Sequence, residues 1–294
     1  MHGMPTDYWG KFKDSKSGNP KDSSWLPLFF HLLDVASTFR ELLDNGYDKA
    51  LAALCMVEEL TEAQKQRLCL LAFLHDIGKG INDFQGQVFA DYGMRQHSGH
   101  TRVACSLFTE GYVRKFLTLL PEGFEEWFEN GDDDGEELFT RMFLAAVGHH
   151  GAPVDYDIQD SHAAEKELGA VRWSGWKYTD VDRLFADMMA IMRSTWPKAF
   201  EQGSPLRIGS AFMYEFNGLL TLADWMASDD RYFRFDAGSD WKERQEFARA
   251  TAGAMLDNSG RKASPRNLDF PAVFGFQPNA MQSALIAASG SLYH

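Results

Sequence analysis

The sequence predicts an all-α protein. Apolar residues recur at helical spacing along most of the 294-residue chain, beginning with Leu28, Leu32 and Val35. Start and stop signals separate these apolar stretches at intervals typical of helices. Nothing in the sequence resembles an internal repeat or a convincing β-hairpin. We therefore expect a bundle of helices.

Local signals set the predicted helix boundaries. Asn45-Gly46 ends the first helix, because glycine is common directly after a helix. Thr61-Glu62-Ala63-Gln64 has the capping-box pattern and predicts a helix start. Pro121 and Pro197 close two later helices, because proline cannot continue a helix. The predicted helices span 25–43, 47–57, 61–75, about 101–119, 136–147, 180–196, 206–226 and 241–255.

Composition and charge narrow the class of protein. Hydrophobic residues make up 45% of the chain, as in ordinary globular proteins. No stretch approaches the length of a membrane span, and residues 1–5 lack a signal-peptide pattern, so we expect a cytoplasmic protein without membrane contact. A net charge of −13 argues against a broad nucleic-acid footprint. It leaves room for a local site, because bound cations reverse the field where they sit.

Residues able to bind metal stand at or near the predicted helix ends. The apolar run 71–74 ends in His75 and Asp76, and both side chains are good ligands for a divalent metal. Gly78 is expected to let the backbone turn away after them. Helix ends in a bundle can converge on one cavity. The histidines and aspartates with this placement are His31, His75, Asp76, His100, His149, His150 and Asp224.

Each of these residues also has an ordinary explanation when taken alone. A single His31 is more often a core or surface histidine, and a single Asp224 is often just a polar residue at a helix end. His149 and His150 would lie on different faces of a helix unless the helix ended there, as Gly151 predicts. Only the whole set favours a metal site.

Several motifs follow one another along the chain. They are His31-Leu-Leu-Asp34-Val-Ala36, His75-Asp76-Ile-Gly-Lys79, Phe84-Gln85, His100, Gly148-His149-His150-Gly151 and Leu222-Ala-Asp224-Trp-Met-Ala-Ser228. The upstream histidine, the His-Asp pair and the downstream aspartate resemble the HD-domain phosphohydrolases. The fuller set resembles the N-terminal nuclease domain of the CRISPR-associated helicase-nuclease of type I systems, over roughly residues 8–256. The resemblance implies an HD-domain helical bundle with a dinuclear metal site between helices, occupying residues 1–260.

The resemblance implies two divalent metal ions that share Asp76. It assigns the first ion to His31, His75, Asp76 and Asp224. It assigns the second ion to Asp76, His100, His149 and His150. His97 is the alternative to His100, which we prefer because a helix starts directly after it. A histidine-rich site suits Mn, Fe, Co, Ni or Zn better than Mg, which prefers carboxylates and water.

Three further residues are expected to support the chemistry. The predicted catalytic residues are Asp76 and Lys79. Lys79 would donate a hydrogen bond to a non-bridging phosphate oxygen, and the alternative is that it is an ordinary surface lysine. Asp34, one turn from His31, would orient a ligand histidine from behind. Ser228, one turn after Asp224, would either contact substrate or cap the helix. The aromatic and basic segment 172–178 is expected to pack on the core rather than to stack on bases.

The C-terminal residues 261–294 look like a linker and the start of a helicase. Phe274-Gly275-Phe276-Gln277-Pro278 with Gln282 resembles the segment leading into a superfamily 2 helicase. No GxxxxGK[ST] follows, so the helicase itself is absent. Either the helicase is a separate protein or this chain is a domain cut from a longer one, and we favour the second alternative.

The function expected from the resemblance is metal-dependent cleavage of single-stranded DNA. Its partners would be single-stranded DNA, an RNA-guided surveillance complex that opens the target duplex, and a helicase domain in the full-length chain. One alternative is an HD-type nucleotide phosphohydrolase, which would need a basic pocket for a triphosphate. A second alternative is a non-catalytic docking module.

Overall fold

A computed structural model of the chain describes residues 8–13, 24–87, 100–108, 116–131, 134–150 and 180–259, together with 277, 279, 280 and 283. In these parts the chain is mainly helical, and its strands form two small two-stranded sheets. The predicted helical fold class is therefore confirmed. None of the helices in the described ranges is long and apolar enough to cross a bilayer.

The elements follow in chain order. The helices are α1 (Leu28–Leu42), α2 (Asp48–Leu54), α3 (Glu62–Leu74), α4 (Asn82–Gly86), α5 (His100–Ala104), α6 (Gly135–Val147), α7 (Val181–Thr195), α8 (Ser210–Ala227) and α9 (Trp241–Ser259). Short 3₁₀ turns cover Ile77–Gly80, Cys105–Phe108, Phe124–Glu126 and Pro197–Phe200. The strands are β1 (Trp9–Lys13), β2 (Ser24–Pro27), β3 (Phe128–Glu129) and β4 (Leu206–Arg207). β1 pairs antiparallel with β2, and β3 pairs parallel with β4.

Helix α1 is the centre of the bundle. Every residue from Leu28 to Phe39 is buried, which is expected of a helix surrounded by other elements. Its main neighbours are α3, α8 and α9. The polar His31 and Asp34 of α1 are buried with the rest, so each needs a partner inside the bundle.

The predicted capping box starts α3. Thr61 Oγ1 accepts a hydrogen bond from the Gln64 backbone N–H (3.3 Å), and Gln64 Oε1 accepts one from the Thr61 N–H (2.9 Å). This prediction is confirmed. Because α3 starts at a fixed residue and runs straight to Leu74, the cap also fixes where His75 and Asp76 emerge.

The expectation of no β-hairpin is wrong at the N-terminus. Lys11 lies opposite Leu26 and Phe12 opposite Trp25, so Trp25 belongs to β2 and not to the first helix. The two strands are short and residues 14–23 lie between them, so no tight-turn signal marks the pair. Tyr8 and Trp9 are buried and anchor this segment to the core.

Two other predicted boundaries also differ. α8 begins at Ser210 rather than at 206, because Leu206 and Arg207 pair with β3 instead. The helix predicted for 101–119 starts at His100, and after Ala104 it tightens into the 3₁₀ turn 105–108. The predicted domain boundary near 260 and most of the helicase-like segment lie outside the described residues.

Candidate metal centre

His75 and His149 occupy matching positions at the ends of α3 and α6. The Nδ1 of each lies within hydrogen-bond distance of the carbonyl three residues earlier, Ala72 O (2.7 Å) and Ala146 O (3.1 Å). Because a carbonyl can only accept, Nδ1 carries the proton and Nε2 keeps its lone pair. Both Nε2 atoms are buried without a hydrogen-bond partner. Leaving buried polar atoms unpaired is costly, so these two atoms indicate a binding site.

The turn after His75 depends on Gly78 in a way that the sequence did not show. A Cβ on Gly78 would lie 2.0 Å from the His100 carbonyl oxygen and 3.4 Å from the Ala104 nitrogen. The glycine is thus needed for a close approach, and its φ lies outside the left-handed region. By letting α5 start against the turn, Gly78 brings His100 to Asp76.

Asp76 lies at the centre of the cluster. Its Oδ2 is 2.9 Å from His31 Nε2 and 3.4 Å from His75 Nε2. Its Oδ1 is 2.9 Å from His100 Nε2 and 3.6 Å from His149 Nε2. One carboxylate oxygen therefore faces one pair of histidines and the second oxygen faces another pair. This is the arrangement that a carboxylate bridging two cations requires.

Lys79 is buried beside Asp76. Its side chain is 11% exposed, which excludes the surface-lysine alternative, and its Nζ lies 2.5 Å from Asp76 Oδ2. Gln85 Nε2 donates to the Lys79 carbonyl (2.6 Å) and to the Trp9 carbonyl (2.9 Å). The glutamine thereby fixes the turn that carries Lys79 and joins it to β1.

Asp224 reaches the cluster from α8. Its Oδ1 lies 3.6 Å from His31 Nε2 and 4.0 Å from His75 Nε2. Thr221, one turn earlier, donates its hydroxyl to the His149 carbonyl (2.7 Å) and so ties α8 to the end of α6. Asp224 therefore shares the side of the pocket that His31 and His75 occupy.

Ser228 donates two hydrogen bonds to Asp224. Its backbone N–H donates to the Asp224 carbonyl at the end of α8 (2.8 Å), and its hydroxyl donates to Asp224 Oδ1 (3.1 Å). The first contact fits the expected cap and the second orients the carboxylate. Ser228 also accepts a hydrogen bond from Lys11 Nζ (2.5 Å), a residue that we did not single out from the sequence.

The seven residues form two adjacent groups with Asp224 beside the first. In each group, one ligand atom per residue lies within 4.8 Å of the others, a spacing that could hold a cation. His150 is exposed and its Nε2 lies 3.1 Å from His100 Nε2, so solvent reaches the second group. The groups are His31, His75 and Asp76, and His100, His149 and His150.

Burial keeps several of the imidazoles neutral. It lowers the pKa of His149 to about 3, with His75 adding to the effect. It also lowers the pKa of His31 well below its usual value, helped by the nearby Lys11 and Lys79. The pKa of His150 falls as well, through burial and the neighbouring His100. Neutral imidazole is the form that binds metal.

The carboxylates of Asp76 and Asp224, in contrast, are kept in their charged form. Burial alone would raise the pKa of Asp76, but Lys79, His75 and His100 outweigh burial and hold it well below the usual value. For Asp224, His31 and His75 likewise outweigh burial, and its pKa falls to about 2. At neutral pH both carboxylates are ionised and able to coordinate a cation.

The metal-free protein is expected to lose stability on mild acidification. The pKa of His149 and of His31 is lower in the folded protein than in the unfolded chain, so the unfolded chain takes up protons first as the pH falls. The free energy of unfolding should fall below about pH 6.5, by up to ~1.4 kcal/mol per pH unit for each of these two histidines. Asp34 offsets part of this slope, because burial raises its pKa to about 6 and the folded protein therefore binds a proton there over the same range. Urea unfolding of chelator-treated protein between about pH 6.5 and about pH 5 measures this slope. His149→Gln should make the slope shallower, and an equally steep slope in that variant would contradict the assignment.

Asp34 has a different partner from the one predicted. Its carboxylate accepts two hydrogen bonds from Arg244 of α9, Nε to Oδ1 (2.7 Å) and Nη2 to Oδ2 (2.6 Å), and both side chains are fully buried. His31 Nδ1, which Asp34 was expected to orient, has no hydrogen-bond partner among the described residues. Asp34 therefore holds α9 on α1 rather than holding His31.

Some predicted or missed residues remain to be placed. His97 and the segment 172–178 lie outside the described residues. Sequence reasoning missed Lys11 and Arg244, because one sits in a short strand and the other on an ordinary amphipathic helix. The Trp9-Gly10-Lys11 sequence, with its small residue between an anchor and a cation, is the only local signal that could have pointed to Lys11.

Several solved structures share the fold of this chain. A structure described as a CRISPR-associated protein matches with a TM-score of 0.63 and 21% identity, covering 97% of this chain and 31% of that chain. Cas3 of T. fusca with ATP matches with a TM-score of 0.60 and 18% identity, covering 96% and 30%. A CRISPR RNA-guided surveillance complex described as pre-nicking matches with a TM-score of 0.57 and 18% identity, covering 99% and 32%. The chain thus spans less than a third of the length of these structures, and at this identity they show a shared fold.

Sequence comparison identifies the family. A comparison with curated protein sequences returned no match. A family model described as "Cas3, HD domain" matches residues 9–233, which is well over half of the chain. Within this range lie all seven residues of the cluster, on helix ends that the fold brings together. The chain therefore belongs to the family of Cas3 HD domains.

Proposed function

We propose that this chain is a metal-dependent nuclease that hydrolyses phosphodiester bonds of single-stranded DNA in type I CRISPR interference. The observation that carries the proposal is the pair of buried, unpartnered Nε2 atoms of His75 and His149 on either side of the Asp76 carboxylate. Its substrate would be target DNA opened by an RNA-guided surveillance complex. A helicase domain in the full-length chain would be a further partner.

The residues fit a pair of divalent cations. His31, His75, Asp76 and Asp224 would hold one ion, and Asp76, His100, His149 and His150 the other. Two bound cations would activate a water molecule at neutral pH and neutralise charge on the phosphate. The imidazole-rich donor set favours Mn, Fe, Co, Ni or Zn over Mg.

The chain's own residues prepare the pocket for this chemistry. The Ala72 and Ala146 carbonyls fix the tautomer of His75 and His149, so that their lone pairs face inward. Asp76 is held ionised by Lys79, and Ser228 fixes the orientation of Asp224. Lys79 places a positive charge at the bridging carboxylate, where a phosphate oxygen would gain from it.

A nucleotide phosphohydrolase is less well supported. Recognition of a triphosphate needs several cations around one pocket. Among the described residues, Lys11 and Lys79 face the cluster, whereas Arg244 is paired with Asp34. The exposed His150 leaves one side of the pocket open to solvent, which suits a polymer better than an enclosed nucleotide.

A non-catalytic docking module would not need this pocket. Several buried polar atoms without partners cost free energy, and a protein that used them only for structure would pair them. The unpaired Nε2 atoms of His75 and His149 point inward to Asp76 and not to a surface that could dock a partner.

The test is cleavage by the full chain after metal removal and reloading. Chelator-treated protein is given Mn, Co, Ni or Mg and is incubated with circular single-stranded DNA, a duplex of the same sequence, or dATP. We expect cleavage of the single strand with Mn, Co or Ni, none in chelator, and no hydrolysis of dATP. Cleavage that persists in chelator would contradict the mechanism, and hydrolysis of dATP alone would favour the phosphohydrolase.

A further inference from the structure

Strand β1 passes directly over α1 at the metal pocket. A Cβ on Gly10 would lie 2.9 Å from Leu28 Cα and 3.2 Å from His31 Cβ, so only glycine fits between the strand and the helix. Trp9 anchors the strand to Gln85, with its backbone N–H donating to Oε1 (2.9 Å) and its Nε1–H to the carbonyl (3.0 Å). The next residue along the strand is Lys11, which these contacts hold beside the pocket.

Lys11 approaches the Asp224 side of the pocket without a carboxylate of its own. Its Nζ donates to Ser228 Oγ, and no carboxylate of the described residues lies within ion-pair distance of it. An ammonium group has three donors, so two of them lack a protein partner in the described part of the chain. Burial lowers the pKa of Lys11 to about 8, in spite of the nearby Asp224. A partly buried ammonium with one neutral partner favours an anion as its next partner.

The two lysines at the pocket are bound differently. Lys79 Nζ is already held by Asp76 Oδ2 (2.5 Å). For Lys11, the hydroxyl of Ser228 stands between the ammonium and the carboxylate of Asp224. A lysine with a purely structural role would be expected to reach that carboxylate directly, because a charge-assisted hydrogen bond is stronger than one to a hydroxyl. Among the described residues, Lys11 is therefore the cation at this site that has no carboxylate partner.

We propose that Lys11 binds a phosphate group of the nucleic-acid strand in the pocket, donating to a non-bridging oxygen beside Asp224. This role rests on the function proposed above and adds the residue that holds the substrate's phosphate. Lys79 is held at Asp76, so its charge acts at the bridging carboxylate, whereas Lys11 adds a second positive charge on the Asp224 side of the pocket. Lysine commonly binds phosphate as a point charge in this way.

The test compares K11M with K11R and with the control K49M, which removes the same charge from an exposed position of α2. Binding of inorganic phosphate to the Ni-loaded chain is measured by calorimetry, and cleavage of single-stranded DNA is measured as kcat and KM. We expect K11M to weaken phosphate binding about tenfold to a hundredfold and to raise KM, because hydrogen bonds to charged groups contribute that much. K11R should retain most of the binding, and K49M should match the parent. Nickel content and far-UV circular dichroism should stay unchanged in all variants.

The two readouts separate the two proposals. If the parent chain cleaves no DNA, the nuclease proposal fails, while phosphate binding still decides the role of Lys11. Phosphate affinity in K11M equal to that of the parent, or no phosphate binding by the parent, would overturn the role of Lys11. So would loss of nickel and of helical content in both K11M and K11R, since that outcome means that Lys11 only supports the fold.

Discussion

Asp76→Asn is expected to lower metal-dependent cleavage of single-stranded DNA about a thousandfold or more, because bound metal ions contribute several kcal/mol to such reactions. Asp76 is the one carboxylate whose two oxygens face both histidine groups, so an amide there removes a ligand from both proposed ions. The variant should keep its helical circular dichroism, because the substitution changes neither the size nor the shape of the side chain. Initial rates with Mn at saturating metal measure the effect.

The matched control is Asp236→Asn, which makes the same substitution at a side chain that is 82% exposed. It should cleave at the parent rate. If the Asp76→Asn variant still cleaved DNA with Mn at close to the parent rate, that result would contradict the bridging role of Asp76.

Arg244→Met is expected to destabilise the folded chain by about 3–5 kcal/mol, because it leaves a buried carboxylate without its partner. Arg244 forms a bidentate pair with Asp34, and also donates to the carbonyls of Arg234 and Ala237 (2.7 and 2.8 Å). The pair joins α9 to α1, the helix that carries His31. Urea unfolding of the metal-free variants at neutral pH measures the loss.

The double variant Asp34→Leu/Arg244→Met should recover part of this stability, since it removes both buried charges together. Arg231→Met tests the same substitution in an exposed ion pair with Asp229 and should unfold like the parent. A loss in Arg244→Met no greater than that in Arg231→Met would show that the buried pair contributes little.

The features that could be predicted from the sequence are those with local signals. The capping box at Thr61 and Gln64 places the start of α3 to the residue, and the apolar run after it leads to His75. Placing histidines at helix ends also selected residues that the structure brings together around Asp76, because a bundle brings helix ends together. Both inferences depend on residues close in sequence. The family resemblance supplied the prediction that these distant helix ends belong to one site.

The features that were missed depend on contacts between distant parts of the chain. Asp34 was assigned to His31, three residues away, but its partner Arg244 lies 210 residues away in sequence. Gly78 was expected to shape a turn, but its neighbour His100 explains why only glycine fits. Lys11 lies in β1, which pairs with β2, and no strand was predicted there. No local pattern encodes such pairings.

The most direct test of the central claim is the metal content of the purified chain. Equilibrium titration with Mn and Ni, checked by elemental analysis, should give about two ions per chain for the parent, as a two-metal centre requires. His150→Ala, at the exposed edge of the second group, should reduce the count to about one, and Asp76→Asn should weaken both ions. A parent chain that binds no metal, or an Asp76→Asn variant that binds two ions with unchanged affinity, would contradict a dinuclear centre built around Asp76.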